Sequence, residues 1–162
     1  EFGLPSHQVG LVAAIPYLVG AVAMTLWARL ANRSERRLFF VAGAIVLAAL
    51  SLAISAFLHT PLLKMLAITI AVASILSFQA TFWAIPSGFL TGRAAAGGLA
   101  LIVSIGNLGG FVGPSVIGFI RETTQGFTYP LIFVAGALLL GAVITLALGD
   151  PSRAPSTTKE TA

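Results

Sequence analysis

The sequence contains no cysteine and few charged residues. Of its 162 residues, 9% are charged and 57% are apolar, and the mean hydropathy is +1.00. The lack of cysteine excludes disulfides and thiolate metal sites. Soluble globular proteins carry about 25% charged residues, so this composition excludes an ordinary soluble domain. The net charge of +4 comes without a basic face, which argues against a nucleic-acid partner.

Acidic and histidine side chains are missing from the apolar stretches. The acidic residues all lie in loops or near the chain ends: Glu1, Glu35, Glu122, Asp150 and Glu160. His7 and His59 stand alone in the sequence. A membrane metalloprotease needs two histidines and a glutamate on one helical face, and phosphotransfer on lipids needs acids that hold a metal. We therefore predict no enzyme activity, no metal site and no cofactor.

The sequence does contain five apolar blocks. Each is about as long as the 20 residues that a helix needs to cross a hydrocarbon core of about 30 Å. The blocks run approximately over residues 9–31, 38–58, 62–85, 94–120 and 127–149. Because lipid offers no partner for a free peptide group, uninterrupted runs of this length predict helices rather than alternating barrel strands. We predict an all-α, polytopic bundle over residues 1–150 in a lipid bilayer, followed by a disordered tail over residues 151–162.

Lysine and arginine residues fall mostly on one side of the predicted bundle. Only Lys64 and Arg121 flank the opposite side. The other basic residues are Arg29, Arg33, Arg36, Arg37, Arg93, Arg153 and Lys159. Since basic residues in short loops stay in the cytoplasm, we predict an N-terminus outside the membrane and a C-terminus inside. The odd number of spans and the lack of an initiator methionine lead us to expect a piece of a longer protein.

The fourth block contains SIGNLGGFVGP, residues 104–114, which places four glycines on one helical face. Gly106, Gly109, Gly110 and Gly113 recur at i, i+3, i+4 and i+7. The stretch lacks the second glycine of a dinucleotide fingerprint and the lysine of a Walker loop, which excludes both phosphate-binding loops. Small residues let membrane helices approach closely, and Pro114 allows a bend. We expect this glycine face to pack against another helix, either as static packing or as a surface that slides between two states.

Some uncharged polar side chains lie inside the apolar blocks. Asn107 and Ser104 are i, i+3 neighbours beside the glycine face, and Gln79 lies one turn before two aromatic residues. Amides are unfavourable in lipid, so they face either a neighbouring helix or a water-filled cavity. Pro16 and Tyr17 are predicted to break the first span, which would present the Tyr17 hydroxyl to that cavity. The candidate substrate-binding residues are therefore Asn107, Ser104, Gln79, Phe82, Trp83 and Tyr17.

Two long segments carry a resemblance to a known family. Residues 82–120, FWAIPSGFLTGRAAAGGLALIVSIGNLGGFVGPSVIGFI, closely resemble the tenth and eleventh helices of the anion:cation symporter family within the major facilitator superfamily. Residues 13–37, AAIPYLVGAVAMTLWARLANRSERR, resemble its eighth helix and the following loop. The resemblance implies that the five spans are helices eight to twelve of a twelve-helix transporter, most of its C-terminal six-helix half. The partner would be the missing N-terminal half of the same transporter.

The loop after the first span also resembles the second copy of the superfamily's cytoplasmic motif, G-x-L-(S/A)-D-R-x-G-R-R. Five positions match, namely Leu30, Ala31, Arg33, Arg36 and Arg37. Ala28, Asn32 and Glu35 stand where the motif has a glycine, the acid and the second glycine. Asn32 keeps the ability to cap a helix but loses the charge of the acid. A gating motif and a simple positive-inside anchor both account for these arginines.

The resemblance further implies a function. It implies proton-coupled symport of an organic anion, such as a sugar acid, a dicarboxylate or an aromatic acid, across a bacterial inner membrane by alternating access. The cations and acids that this chemistry needs would lie mainly in the other half. From the residues alone two other classes stay open: a membrane anchor or interaction module that pairs through the glycine face, and a membrane enzyme, against which the lack of intramembrane acids weighs.

Overall fold

The structure, a computed structural model, describes residues 6–34, 36–86 and 92–147. Within these residues the chain forms five long α-helices: α1 (Ser6–Arg33), α2 (Arg37–Phe57), α3 (Pro61–Trp83), α4 (Gly92–Thr124) and α5 (Thr128–Ala147). Each is long and apolar enough to cross a membrane. The predicted all-α, polytopic fold is therefore confirmed. The predicted tail, residues 151–162, lies outside the described residues.

Local chemistry sets several helix ends. α3 begins with Pro61 directly after Thr60, which has an extended backbone. A proline in the first turn sacrifices no helical hydrogen bond, because that turn has no acceptor for its N–H. α4 ends at Thr124, and the next residue, Gln125, takes a left-handed conformation with φ of 51°. A left-handed residue directly after a helix is a common way to stop it.

The helix α1 is not broken at Pro16, and this prediction was wrong. α1 runs without interruption from Ser6 to Arg33, and Pro16 is buried inside it. Proline removes the N–H that would bond to the carbonyl four residues earlier. Membrane helices tolerate this loss because the neighbouring turns and helices hold the backbone in place. Tyr17 consequently lies within a regular helix.

Small residues hold the central helices close together. α3 packs between α1 and α2, and α2 packs between α3 and α5. The buried residues of α2 and α3 are mainly alanine, serine and threonine. At Gly20 of α1, an added Cβ atom would lie 3.5 Å from the Cα atom of Ala73 and would collide with the Leu76 side chain. Such close approach gains the dispersion contacts that drive helix association in lipid.

The core lies where α2 meets α5. Val41 and Ile45 of α2 pack with Ala142 of α5, and partly buried residues of α3 and α5 surround them. The Thr128 hydroxyl, at the start of α5, donates a hydrogen bond to the Ala56 carbonyl at the end of α2, over 3.4 Å. Contacts at both ends therefore fix α5 on α2.

The helix α4 stands apart from this core. Its packing within the described residues is light and runs along α5. None of its most apolar 18 residues is buried, whereas 56% of those of α2 are. Most of the α4 surface is therefore available to groups outside the described chain.

Candidate functional site

The polar face of α4 is formed by Ser104 and Asn107. Both residues are exposed. Neither the Ser104 hydroxyl nor the Asn107 amide has a hydrogen-bond partner within residues 6–34, 36–86 and 92–147. Ser115, further along the same helix, instead donates its hydroxyl to the Phe111 carbonyl, over 3.1 Å. Two polar groups on one face of an apolar helix are thus free to bind a ligand or another helix.

The glycine face of α4 is open. A Cβ atom added to Gly106, Gly109, Gly110 or Gly113 would meet no atom within 4 Å. The helix continues through Pro114. No helix covers this face within the described residues, so the packing expected from the sequence stays a prediction. Any partner for it would come from outside them.

A second group of candidate residues lies at the end of α3. The Phe82 ring packs against Phe78, with centroids 5.4 Å apart, and against Trp83 at 5.5 Å in an edge-to-face arrangement. Gln79 is exposed one turn before them. The aromatic rings therefore support one another beside an exposed amide, which is a combination that suits a ligand with both polar and apolar parts.

The structure does not bring all the candidate residues together. Tyr17 lies on α1 and is 63% exposed. α1 packs on α3, whereas α4 packs along α5, and there is no substantial contact between α3 and α4 in the described part of the chain. The Ser104 and Asn107 pair is therefore separate from the Gln79 group. A shared cavity for the two groups stays a prediction.

The basic loop connects α1 to α2. Leu30 is 54% exposed in the last turns of α1, and Asn32 lies exposed in the final turn. Arg33 ends α1 and Arg37 begins α2. The Arg36 backbone N–H donates to the Ser34 hydroxyl over 3.2 Å, and its guanidinium lies 5.8 Å from the centre of the Phe39 ring. The loop therefore presents its arginines at one end of the bundle.

Sequence reasoning missed a row of buried hydroxyl groups on α3. Thr69, Ser74, Ser77 and Thr81 are buried, and each donates a hydrogen bond to the carbonyl four residues earlier, over 2.7–2.8 Å. The recurrence of these hydroxyls along one side of α3 was the signal for them. Because the hydroxyls are satisfied within their own helix, they offer neighbours a nearly apolar surface.

A polar recess lies at the turn between α4 and α5. The Arg121 guanidinium lies 4.4 Å from the centre of the Phe127 ring. The Gln125 side-chain amide donates to the Glu122 carbonyl over 2.8 Å. Within the described residues, no group of three or more histidine, cysteine or acidic residues is placed to hold a metal ion.

Comparison with known proteins identifies the family. The model of the Major Facilitator Superfamily matches residues 1–162. The chain belongs to the Major Facilitator Superfamily. Membership agrees with the five described helices, which are long and apolar enough to cross a membrane.

Two similar superfamily members come from Agrobacterium vitis. Both carry the provisional name of tartrate transporter. They are 47% and 45% identical to this chain over 94% and 91% of its length. A quinolone resistance transporter of Acinetobacter baumannii is 35% identical over 90% of the chain. In each case the chain spans 34% of the relative, or about a third. No solved structure matches the chain.

The length of the relatives bears on the uncovered surface of α4. They extend well beyond the region that the chain matches. In the longer relatives, further residues are therefore available to cover the surface that corresponds to α4.

Proposed function

We propose that this chain is part of a proton-coupled symporter for an organic anion, and that the polar face of α4 lines the substrate pathway. Asn107 carries the argument. Its amide is exposed and has no partner among the described residues, although amides are unfavourable in lipid. Water or substrate on that side of α4 would satisfy it. Ser104, one turn earlier, adds a hydroxyl to the same face.

The chemistry of these groups suits a hydroxylated or carboxylated anion. An amide donates two hydrogen bonds and accepts others, and a serine hydroxyl does both. The similarity to proteins named as tartrate transporters supports the same substrate class. Gln79, Phe82, Trp83 and Tyr17 form the second set of proposed contacts. They would join the first set only when further helices complete the cavity.

The arrangement in the membrane is also a proposal. We assign the chain to the anion:cation symporter family and α1 to α5 to helices eight to twelve of a twelve-helix carrier, with the N-terminal half as the partner. The basic loop then faces the cytoplasm of a bacterial cell, the N-terminus faces the periplasm and the tail is cytoplasmic. The acids that carry protons and the cations that attract the anion would lie mainly in the partner half, since the charged residues of the described helices lie close to the helix ends. The two halves would rock about the central site.

Replacing Asn107 with alanine in the full-length transporter tests this proposal. Loss of a hydrogen bond to a charged substrate typically costs about 1.5–3 kcal/mol, so we expect the apparent affinity to fall about tenfold or more. Transport of radiolabelled tartrate into proteoliposomes under an inward proton gradient measures both KM and maximal rate. The amount of inserted protein should not change.

Ser115→Ala is the matched control. It removes a hydroxyl from the same helix, but this hydroxyl already bonds to the Phe111 carbonyl. We expect its KM to stay within about twofold of the parent, since no ligand contact is lost. An unchanged KM in Asn107→Ala would show that the amide only bonds to another helix, and it would contradict the proposal.

The open glycine face favours a second candidate, a membrane module that pairs with a different protein. Cysteines placed at Gly106 or Gly113 of a full-length transporter whose cysteines outside residues 1–162 have been replaced would separate the two, because residues 1–162 contain none. A transporter should crosslink to its own N-terminal half. Crosslinking to an unrelated protein would favour the module.

A further inference from the structure

An apolar groove runs between α1 and α2 over the surface of α3. Its floor is the row of α3 residues that includes Thr69, Ala73, Ser74 and Ser77. Its walls come from α1 and α2: Val19, Ala23, Trp27, Ala44 and Leu47. The cavity has a volume of about 290 Å³. None of the proposed substrate contacts lines this groove, so it is distinct from the proposed transport site.

The floor of the groove has no free polar group for a polar ligand. The hydroxyls of Thr69, Ser74 and Ser77 donate to the carbonyls of Met65, Ile70 and Ala73, respectively, over 2.7–2.8 Å. The Trp27 indole N–H donates to the Phe40 carbonyl over 3.2 Å. A ligand in the groove therefore meets methyl, methylene and ring atoms, which suits a hydrocarbon chain.

The groove is long and narrow. It extends from Leu66 to Ser77 of α3, which is about 16 Å at the rise of an α-helix. A single acyl chain is thin enough to lie along this length within a cavity of about 290 Å³.

The rim of the groove is apolar and exposed. Val19, Leu47, Leu66 and Ile70 stand around it with 40–57% of their surface exposed. Side chains of this kind at membrane depth are suited to contact with lipid. A lipid chain can therefore enter the groove sideways without crossing a polar barrier.

Two aromatic rings lie at one end of the groove, and Arg37 lies beyond them. The Trp27 and Phe40 rings meet edge to face, with centroids 5.6 Å apart. On α2, Arg37 precedes Phe40 by three residues, Ala44 by seven and Leu47 by ten. This spacing puts Arg37 on the helical face that lines the groove, one turn beyond the rings. Arg37 is exposed.

We propose that this groove binds one acyl chain of an anionic phospholipid, whose phosphate is held by Arg37 at the end of the bundle. The apolar floor selects the chain, and the arginine selects the negative head group. Basic residues close to a helix end attract anionic lipid by a short-range interaction that salt screens. Arg33 and Arg36, in the same loop, add to the positive field.

Quenching of Trp27 fluorescence by brominated lipid tests the proposal. The test uses the full-length transporter with Trp27 as its only tryptophan, so Trp83 and any tryptophan outside residues 1–162 become phenylalanine. It is reconstituted in phosphatidylcholine vesicles that contain a minor fraction of phosphatidylglycerol or phosphatidylcholine with brominated chains. We expect phosphatidylglycerol to quench Trp27 about fivefold more effectively, as one head-group contact with arginine predicts.

Two variants, each with a matched control, identify the site. Ala23→Phe fills the groove and should abolish the excess quenching, whereas Ala21→Phe, an exposed position outside the groove, should keep it. Arg37→Gln should bring the two lipids to equal quenching, whereas Arg29→Gln, on the opposite face from Trp27, should not. Circular dichroism checks that each variant stays folded. If Ala23→Phe does not fold, Arg37→Gln alone decides.

Three results would overturn the proposal. Equal quenching by both lipids in the parent protein would mean ordinary boundary lipid. An excess that survives both Ala23→Phe and Arg37→Gln would place the selective lipid elsewhere. Absence of quenching by either lipid would mean that a segment of the transporter itself covers Trp27.

Discussion

The helices α2 and α4 are both apolar enough to cross a membrane, yet they differ in how the chain uses them. Of the most apolar 18 residues, 56% are buried in α2 and none in α4. α2 packs on α3 and α5 through alanines and serines, whereas the glycines of α4 meet nothing within 4 Å. Hydropathy therefore places a helix in the bilayer but does not say whether its partner lies in the same chain. The small-residue face of α4 is suited to a partner outside the described residues.

The contact between α1 and α3 should be the most sensitive to added volume. Gly20→Leu would force a side chain into Ala73 and Leu76, and we expect it to lower the free energy of unfolding by about 3 kcal/mol, at the upper end of the overpacking range. Gly10→Leu on the same helix meets nothing within 4 Å and should change it by less than about 0.5 kcal/mol. Unfolding in mixed micelles with increasing dodecyl sulfate measures both. Equal effects would mean that α1 does not pack on α3 as described.

Removal of volume from the core of α2 should have the next largest effect. Ile45 is 5% exposed and Ile54 is 55% exposed on the same helix. We expect Ile45→Ala to cost about 2 kcal/mol, at the low end for core truncations, because the unfolded helix stays in an apolar solvent. Ile54→Ala should cost less than about 0.5 kcal/mol. The same micelle titration checks this pair, and a cost at Ile54 as large as that at Ile45 would contradict the assignment of the core.

Added volume on α4 should have the smallest effect on residues 1–162 alone. Gly109→Leu meets nothing within 4 Å, so we expect a change of less than about 0.5 kcal/mol in their free energy of unfolding. In the full-length transporter the same variant should slow transport about tenfold or more, since a leucine would push a covering helix away. Gly136→Leu, at another open glycine on α5, should be equally silent in residues 1–162 alone. Normal transport by Gly109→Leu would show that no helix covers this face.

The sequence was sufficient to predict which segments become helices. Uninterrupted apolar runs have one stable form in lipid, so the five spans could be read directly from hydropathy. The break predicted at Pro16 failed because the rule for proline in water does not transfer to a membrane helix, in which the neighbouring turns keep their hydrogen bonds.

The packing and the site were harder to predict. α2 is apolar on nearly all sides, so periodicity does not identify the face that it buries. Helix geometry placed Ser104 and Asn107 on one face, but the sequence does not tell whether Gln79 shares their cavity. That question depends on contacts between helices far apart in the chain. The hydroxyl row of α3 was visible as a spacing, but its role follows only from the packing of α1 and α2 around it.

The internal hydrogen bonds of α3 have a consequence for which substitutions this helix tolerates. Thr69, Ser74, Ser77 and Thr81 direct their protons to their own backbone. To an adjoining helix or a lipid tail, a serine there is close in shape and polarity to an alanine, and a threonine is close to a valine. Substitutions of serine by alanine or of threonine by valine would leave the interior of the bundle nearly unchanged. A larger residue at these positions would push α1, α2 and α3 apart.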